Sequence, residues 1–474
     1  MTRRVVIIGA GMGGLTAALR LAQQGLSVKI LEARTEAGGL ASAFEKDGFL
    51  FDSGPYILLD RPGLEWAFHS LGLELSEHVT LRHIDDVYEV FSSKHAVHFY
   101  ADLERTAAGI DAQWPGSGRN YERFVREMQD AHKRLSPLLH VSRPRAASLL
   151  RNRAFTLVPF LLRSLGTILA RADLPQPVVD AIAIWTQIAG QRIDEAPSPL
   201  AFVPALIHSI GAFYPVEGIG SVPRTLTRIA EQAGVEFQYN TTVRSIVSEH
   251  GRVRGVETNH DQVVPADVII SNYNGIGTYL EMLGDTPPSA RNKLHKLPLQ
   301  SPGACAYLAV RGEIKPPYLR FQLPENNELC RLFVRPTVVA PELEKNGWVP
   351  ARLISPMRYE LVEGLSVEDQ RDYLDRLLSE SWWRDGVDEF RVLATRVPSE
   401  WGAQYKLYRN SMNPVMTSGF MRAGRLAHKS PYARGLYLAG SSTHPGQWVS
   451  FCAISGILAA NDLLEDLTNV GYQH

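Results

Sequence analysis

The stretch from Val5 to Glu32 constrains this chain more than any other. Val5-Val6-Ile7-Ile8 is a short unbroken apolar run, as a parallel strand buried on both faces requires. Gly9-Ala10-Gly11-Met12-Gly13-Gly14 follows without a gap. Leu15 to Gln24 then reads as a helix with Leu15, Ala18, Leu19 and Ala22 on one face; Gly25 ends it, and Ser27 to Leu31 returns to a strand closed by Glu32. The order is strand, G-x-G-x-x-G, helix, strand, acid. Gly9 permits a tight turn, Gly11 lets a pyrophosphate approach the backbone, and Gly14 allows close helix–strand contact. The helix start offers unpaired N–H groups and the positive end of its dipole to phosphates. Glu32 stands at the spacing, about 20 residues on, that lets a carboxylate accept from a ribose hydroxyl. The pattern calls for an adenine dinucleotide whose ribose 2′-hydroxyl is free, which disfavours NADP. Met12, Gly13 and Ala33 belong to the same candidate site.

The rest of the composition mainly excludes. Of 474 residues, 45% are hydrophobic and 21% charged, which is incompatible with wholesale disorder. Forty-nine basic against fifty acidic side chains leave no global field for nucleic acid. Cys305, Cys330 and Cys452 are far apart, so neither a disulfide framework nor a Cys-rich zinc site is expected, and a reducing compartment is. No H-E-x-x-H pattern or Ser-His-Asp constellation stands out, so no metal site is expected and no catalytic residue can be assigned. The longest uncharged stretch, Ala196 to Val216, is broken by Pro197, Pro199, Pro204 and Pro215 and does not read as a spanning helix. No secretory signal is visible at the start. The expectation is a cytoplasmic protein, or one held at a membrane face.

Three further segments carry a resemblance. Ala37-Gly38-Gly39-Leu40 is followed by Phe51-Asp52-Ser53-Gly54-Pro55; Tyr214-Pro215-Val216-Glu217-Gly218-Ile219-Gly220 leads into an amphipathic helix, Val222 to Ala233. Strands are expected at Val235–Tyr239, Val243–Val247, Val253–Thr258 and Val268–Ser271. Near the end, Leu436-Tyr437-Leu438-Ala439-Gly440 precedes Ser441-Ser442-Thr443-His444-Pro445-Gly446 and an apolar helix from Val449 to Leu464. Together these resemble the phytoene desaturase type of the flavin amine oxidase superfamily, along the whole chain and most closely at its two ends. The resemblance implies an α/β fold: a Rossmann-like FAD-binding domain with an interleaved α+β substrate domain. It divides the chain into 1–95, 211–285 and 405–474 for FAD, and 96–210 and 286–404 for the substrate or cap domain. It implies FAD contacts at Gly38, Gly39, Leu40, Gly54, Pro55, Val243, Gly440, Gly446, Gln447, Trp448 and Val449, with Val243 beside the adenine. Three positions depart from the family pattern: Leu40 stands where arginine is usual, Glu217 where glycine is usual, and Gln447-Trp448 where small residues are usual. Without the arginine, the phosphates must rely on backbone donors or another cation.

Between Asp130 and Asp173 every formally charged residue is basic: Lys133, Arg134, Arg143, Arg145, Arg151, Arg153, Arg163 and Arg171. Leu149-Leu150, Phe155, Phe160-Leu161-Leu162 and Ile168-Leu169 run among them. Such a segment, 131–172, suits a bilayer interface with anionic headgroups; it also suits an amphipathic helix pair whose arginines face water. The resemblance implies desaturation of a long apolar isoprenoid or carotenoid by hydride transfer to the flavin N5. FAD-assisted polyene isomerisation, amine oxidation and a non-catalytic prenyl-binding role remain as alternatives. Near the flavin, His444, Gln447 and Ser450 are the polar candidates. No second G-x-G-x-x-G follows a strand, so the electron acceptor is expected to be diffusible, oxygen or a quinone.

Overall fold

The computed structural model describes residues 3–144, 146–325 and 328–471; Arg145 of the basic segment lies outside them. The chain begins with β1 (Arg4–Ile8), α1 (Met12–Ala22) and β2 (Ser27–Leu31). β1 pairs in parallel with β2 on one side and with Val268–Ser271 on the other. Glu236–Gln238 adds beyond β2, and Leu436–Leu438 adds beyond Val268–Ser271, all parallel. In chain order the sheet reads 3-2-1-4-5, the doubly wound Rossmann-like arrangement. Its strand order reverses between β1 and Val268–Ser271, and ligands of such sheets bind beyond the carboxyl ends of the strands at that point. The continuous apolar run is needed because both faces are covered: Ile7 and Ile270 are wholly buried.

α1 starts three residues earlier than the expected Leu15, because Gly13 and Gly14 form its first turn rather than a preceding loop. α2 (Val449–Gly471) runs past the expected Leu464. Its last turns are held by Asp466, which accepts from Lys429 Nζ at 2.7 Å and from the Tyr437 hydroxyl at 2.5 Å. α1 and α2 cross with almost nothing between them. Thr16 Oγ1 donates to the Ala453 carbonyl at 2.8 Å, and a Cβ on Gly456 would lie 2.0 Å from the Gly13 carbonyl oxygen. The two ends of the chain are thereby locked around the glycine turn.

A second, seven-stranded sheet takes the order Glu389–Arg396, Ala304–Arg311, Val349–Ser355, Arg331–Val334, Leu319–Gln322, Asp86–Phe91, Ala96–Tyr100. Only the Leu319–Gln322 and Asp86–Phe91 neighbours are parallel. The strand Asp86–Phe91, which the division 1–95 leaves with the dinucleotide stretches, is hydrogen-bonded into this sheet. A three-stranded antiparallel sheet, Val243–Glu249, Arg252–Thr258 and Val263–Pro265, leans on the Rossmann-like sheet. The basic segment folds as short pieces, with helices at Ala146–Arg151, Val158–Leu161 and Leu165–Leu169, and not as a helix pair. No helix among the described residues is long and apolar enough to cross a membrane.

Gly456→Ala forces its methyl group into the Gly13 carbonyl and the Thr16 hydroxyl, so overpacking at this crossing lowers stability by at least about 2 kcal/mol. Urea unfolding of the variant against the parent measures it.

Candidate active site

Two glycine turns meet at the start of α1. Gly9 has φ +88° and its N–H donates to the Leu31 carbonyl at 2.8 Å, which turns the chain directly out of β1. The Gly38 N–H donates to the Ala10 carbonyl at 2.8 Å, and a Cβ on Gly39 would stand 3.2 Å from the Gly11 Cα. α1 has Gly11 as its N-cap, no side-chain cap and no acid in its first turn, so its first N–H groups are left for an external anion. The Gly14 Cα faces the Gly9 carbonyl so closely that a Cβ would come within 2.2 Å of the oxygen.

Glu32 is buried at 6% exposure. One carboxylate oxygen accepts from the Ala10 N–H at 2.7 Å and the other from the Arg34 N–H at 2.9 Å. Each oxygen accepts one of these bonds and has capacity for another, and Glu32 lines the cavity, as a ribose-binding acid requires. The Thr241 N–H donates to the Glu32 carbonyl at 2.9 Å, which brings Thr242 and Val243 to the same wall.

Sequence reasoning missed two residues here. Asn272 directly follows the strand Val268–Ser271 and lies at the strand-order reversal. A Cβ on Gly11 would lie 2.6 Å from its Nδ2, and Cβ atoms on Gly13 and Gly440 would lie 2.6 and 2.7 Å from its Oδ1. The glycines are needed as much to admit this amide as to admit a ligand. Arg34 is the cation at the turn where Leu40 supplies none. It donates to the Gly39 carbonyl at 3.3 Å and to Ser42 Oγ at 3.1 Å, stacks 4.3 Å over Tyr405, and pairs with Glu36.

At the other end of the site, α2 begins on the cavity wall. Gln447 Oε1 accepts from Asn413 Nδ2 at 2.9 Å, and Trp448 stacks on Phe451 with ring centroids 4.9 Å apart. The Ser450 hydroxyl donates to Asp60 at 2.9 Å, while Asp60 also caps the helix Arg61–Ser70 through the Gly63 N–H. Burial raises the Asp60 carboxyl above the usual range. His444 Nε2–H donates to the Leu138 carbonyl at 2.9 Å; burial pulls its ring down to about 4, so it is neutral.

These groups surround one cavity of about 1410 Å³. Of the sequence-derived candidates, Gly9, Gly11, Met12, Gly13, Glu32, Ala33, Gly38, Gly39, Leu40, Gly54, Pro55, Val243, Gly440, Gln447, Trp448 and Val449 line it, as do His444 and Ser450. Gly14 and Gly446 stand behind the wall, Gly14 against Gly9 and Gly446 against Arg425. Leu135, Leu138, Trp185, Ile188, Phe202 and Leu206, with Leu149 and Leu161 of the basic segment, form an apolar part of the same lining, a corridor. Glycine cradle, unpaired helix N–H groups, buried acid and nearby guanidinium together fit a flavin adenine dinucleotide, and the corridor fits a long apolar partner.

The neutral histidines predict an acid weakness. His428, 1% exposed, is also held down to about 4, and its Nδ1–H donates to the Leu438 carbonyl. The unfolded chain binds protons on both rings near pH 6.5 and the folded one only near pH 4, so stability falls as pH drops through that window. From about pH 7.5 to about pH 5 each costs about 2 kcal/mol. His444→Gln should remove about half of that loss, as read from urea midpoints at the two pH values.

Residues 12–464 match the family described as flavin containing amine oxidoreductase. The chain is 26% identical to the zeta-carotene-forming phytoene desaturase of Myxococcus xanthus, over 98% of this chain and 94% of that protein. It is 24% identical to the carotenoid 3,4-desaturase of Haloarcula japonica, with 98% of each covered, and 27% identical to the hydroxyneurosporene desaturase of Rhodobacter capsulatus, likewise with 98% of each covered. Among solved structures, putrescine oxidase bound to putrescine superposes with a TM-score of 0.66 at 17% identity, over 98% of this chain and 99% of that one. That likeness concerns the fold. With the match running from Met12, inside the glycine turn, to Leu464 in α2, the chain belongs to the flavin containing amine oxidoreductase family and is an FAD-dependent oxidoreductase.

Proposed function

We propose that this protein desaturates a long apolar isoprenoid or carotenoid. The observation that carries this reading is the continuity of one cavity from the two glycine turns to the leucine- and phenylalanine-walled corridor. A cavity of about 1410 Å³ exceeds the ~300–1,000 Å³ usual for a single small ligand. The relatives named as phytoene, carotenoid and hydroxyneurosporene desaturases match along nearly their whole lengths, which supports the same substrate class.

In this reading the diphosphate lies at the α1 N-terminus, with Glu32 on the ribose, Arg34 near the phosphates and Val243 beside the adenine. α2 points its positive end at the ring system, where Gln447, Trp448 and Val449 form the wall. When bound, FAD supplies the two-electron oxidant for a saturated carbon pair, which loses a hydride from one carbon and a proton from its neighbour. The chain's task is to hold that carbon pair in a water-poor corridor at the right distance. A diffusible acceptor, oxygen or a quinone, removes the electrons afterwards.

In this reading the cavity opens at the basic segment, whose Leu149 and Leu161 belong to its lining. Leu150, Phe155 and Leu162 are 70%, 59% and 52% exposed, next to the cavity-lining Leu149 and Leu161. Arg151 and Arg153 are exposed among them. This combination suits a mouth seated on an anionic membrane surface, from which an insoluble substrate enters.

Three outcomes are expected. Anaerobic addition of a saturated-chain carotenoid precursor bleaches the oxidised flavin and yields a product two hydrogens lighter; isomerisation by prereduced enzyme alone, without bleaching, contradicts desaturation. Arg34→Leu weakens FAD binding by about tenfold or more, the loss of one charge-assisted contact, as read by flavin fluorescence. Leu150→Glu with Phe155→Glu lowers flotation with anionic vesicles while leaving FAD content unchanged.

A further inference from the structure

The cations on the cavity wall differ in what balances them. Arg34 pairs with Glu36, and Arg244 pairs with Asp261 at 2.7 Å. Arg352, enclosed by protein, donates to the carbonyls of Ser53, Gly54 and Pro55 and lies near Asp52. Arg143 and Lys406 are exposed to solvent. Arg425 has none of these arrangements. It is half-buried and borders the cavity.

Its one hydrogen bond is from Nη1 to the Ser441 carbonyl at 3.4 Å, near the limit for such a bond. Among the described residues no carboxylate pairs with it, and its other N–H groups have no protein acceptor. Burial pulls the guanidinium down to about 10, with only the Cys452 thiol acting in the other direction. The carboxylates that line the cavity are engaged elsewhere: Glu32 with Ala10 and Arg34, Asp60 with Ser450 and Gly63, Glu281 with the Tyr273 hydroxyl. Even partial burial of a cation without a counter-charge carries a desolvation cost, and buried cations are normally paired. Beside Arg425 stand the Ser441 carbonyl, Gly446, His444 and Cys452; Ser142 and Arg143 line the same cavity, and Asp462, which accepts from the Ser142 hydroxyl at 2.7 Å, is not part of its lining.

We propose that Arg425 receives a carboxylate at one end of an otherwise apolar isoprenoid chain, so that the site favours acidic, end-oxidised polyenes over hydrocarbons of the same length. A planar carboxylate matches the guanidinium fork and supplies the missing charge, while the chain follows the corridor. This rests on the desaturase reading and sharpens its substrate class.

The test compares retinoic acid with its methyl ester, which keeps the polyene and removes the charge, by quenching of tryptophan fluorescence in the FAD-loaded protein. The parent is expected to bind the acid at least tenfold more tightly than the ester. Arg425→Leu should abolish the preference and Arg425→Lys should keep part of it, both with the FAD content of the parent from absorbance near 450 nm. Equal binding of acid and ester by the parent overturns the proposal without needing a variant. So does a preference that survives Arg425→Leu, or FAD loss in that variant, which would give Arg425 to the cofactor. Flavin that no polyene bleaches, in a protein that still prefers the acid, counts against the desaturase reading and leaves this receptor standing.

Discussion

Everything in this structure depends on how closely backbone can approach backbone at the start of α1. Gly9, Gly11, Gly13 and Gly14 let the first helix, the Asn272 amide, the Gly440 turn and α2 converge on one point. Any Cβ there would lie within 2.2 to 2.6 Å of another atom at Gly11, Gly13 and Gly14. That convergence leaves helix N–H groups unpaired at the strand-order reversal, which is a place for phosphate and for little else. It also explains why the last helix belongs with the first: Gly456 and Thr16 allow α2 to lie against α1, so the two ends of the chain build one site.

The remainder of the fold extends that site. The seven-stranded sheet presents Arg352 and Cys305 to the cavity, and the helices around Trp185 and Phe202 wall the corridor. One continuous space therefore has a polar, glycine-lined part and an apolar part that includes Leu149 and Leu161 of the basic segment. A cofactor that handles electrons and a substrate that avoids water can meet there without either crossing bulk solvent. Among the described residues, Arg34, Arg244 and Arg352 on the cavity wall are paired or bonded to backbone, whereas Arg425 has no carboxylate partner.

How much of this could be read from sequence follows from how local each signal is. Strand, turn, helix and acid from Val5 to Glu32 are contiguous, so their periodicity and spacing were sufficient to order them; the helix was set three residues late at its start, because Gly13 and Gly14 read as loop when packing makes them helix, and two residues late at its end, since it stops at Ala22. The late segment from Gly440 to Val449 was readable for the same reason. Asn272 was not, although the strand before it was, because its role comes from meeting glycines more than two hundred residues away in the chain. Arg34 lay in view, two residues beyond Glu32, but only the fold turns it towards Gly39 and Tyr405 in place of the cation absent at Leu40. The strand Asp86–Phe91 carries nothing in its own sequence to say which sheet it joins; its parallel partner, Leu319–Gln322, decides that.

The central claim is that the converging glycine turns hold a flavin dinucleotide. The direct measurement is the flavin released on denaturing the purified protein, identified and counted against protein concentration. The account predicts FAD, near one per chain, or uptake to that level when FAD is added to cofactor-free protein. A colourless protein that takes up no FAD on titration would contradict it.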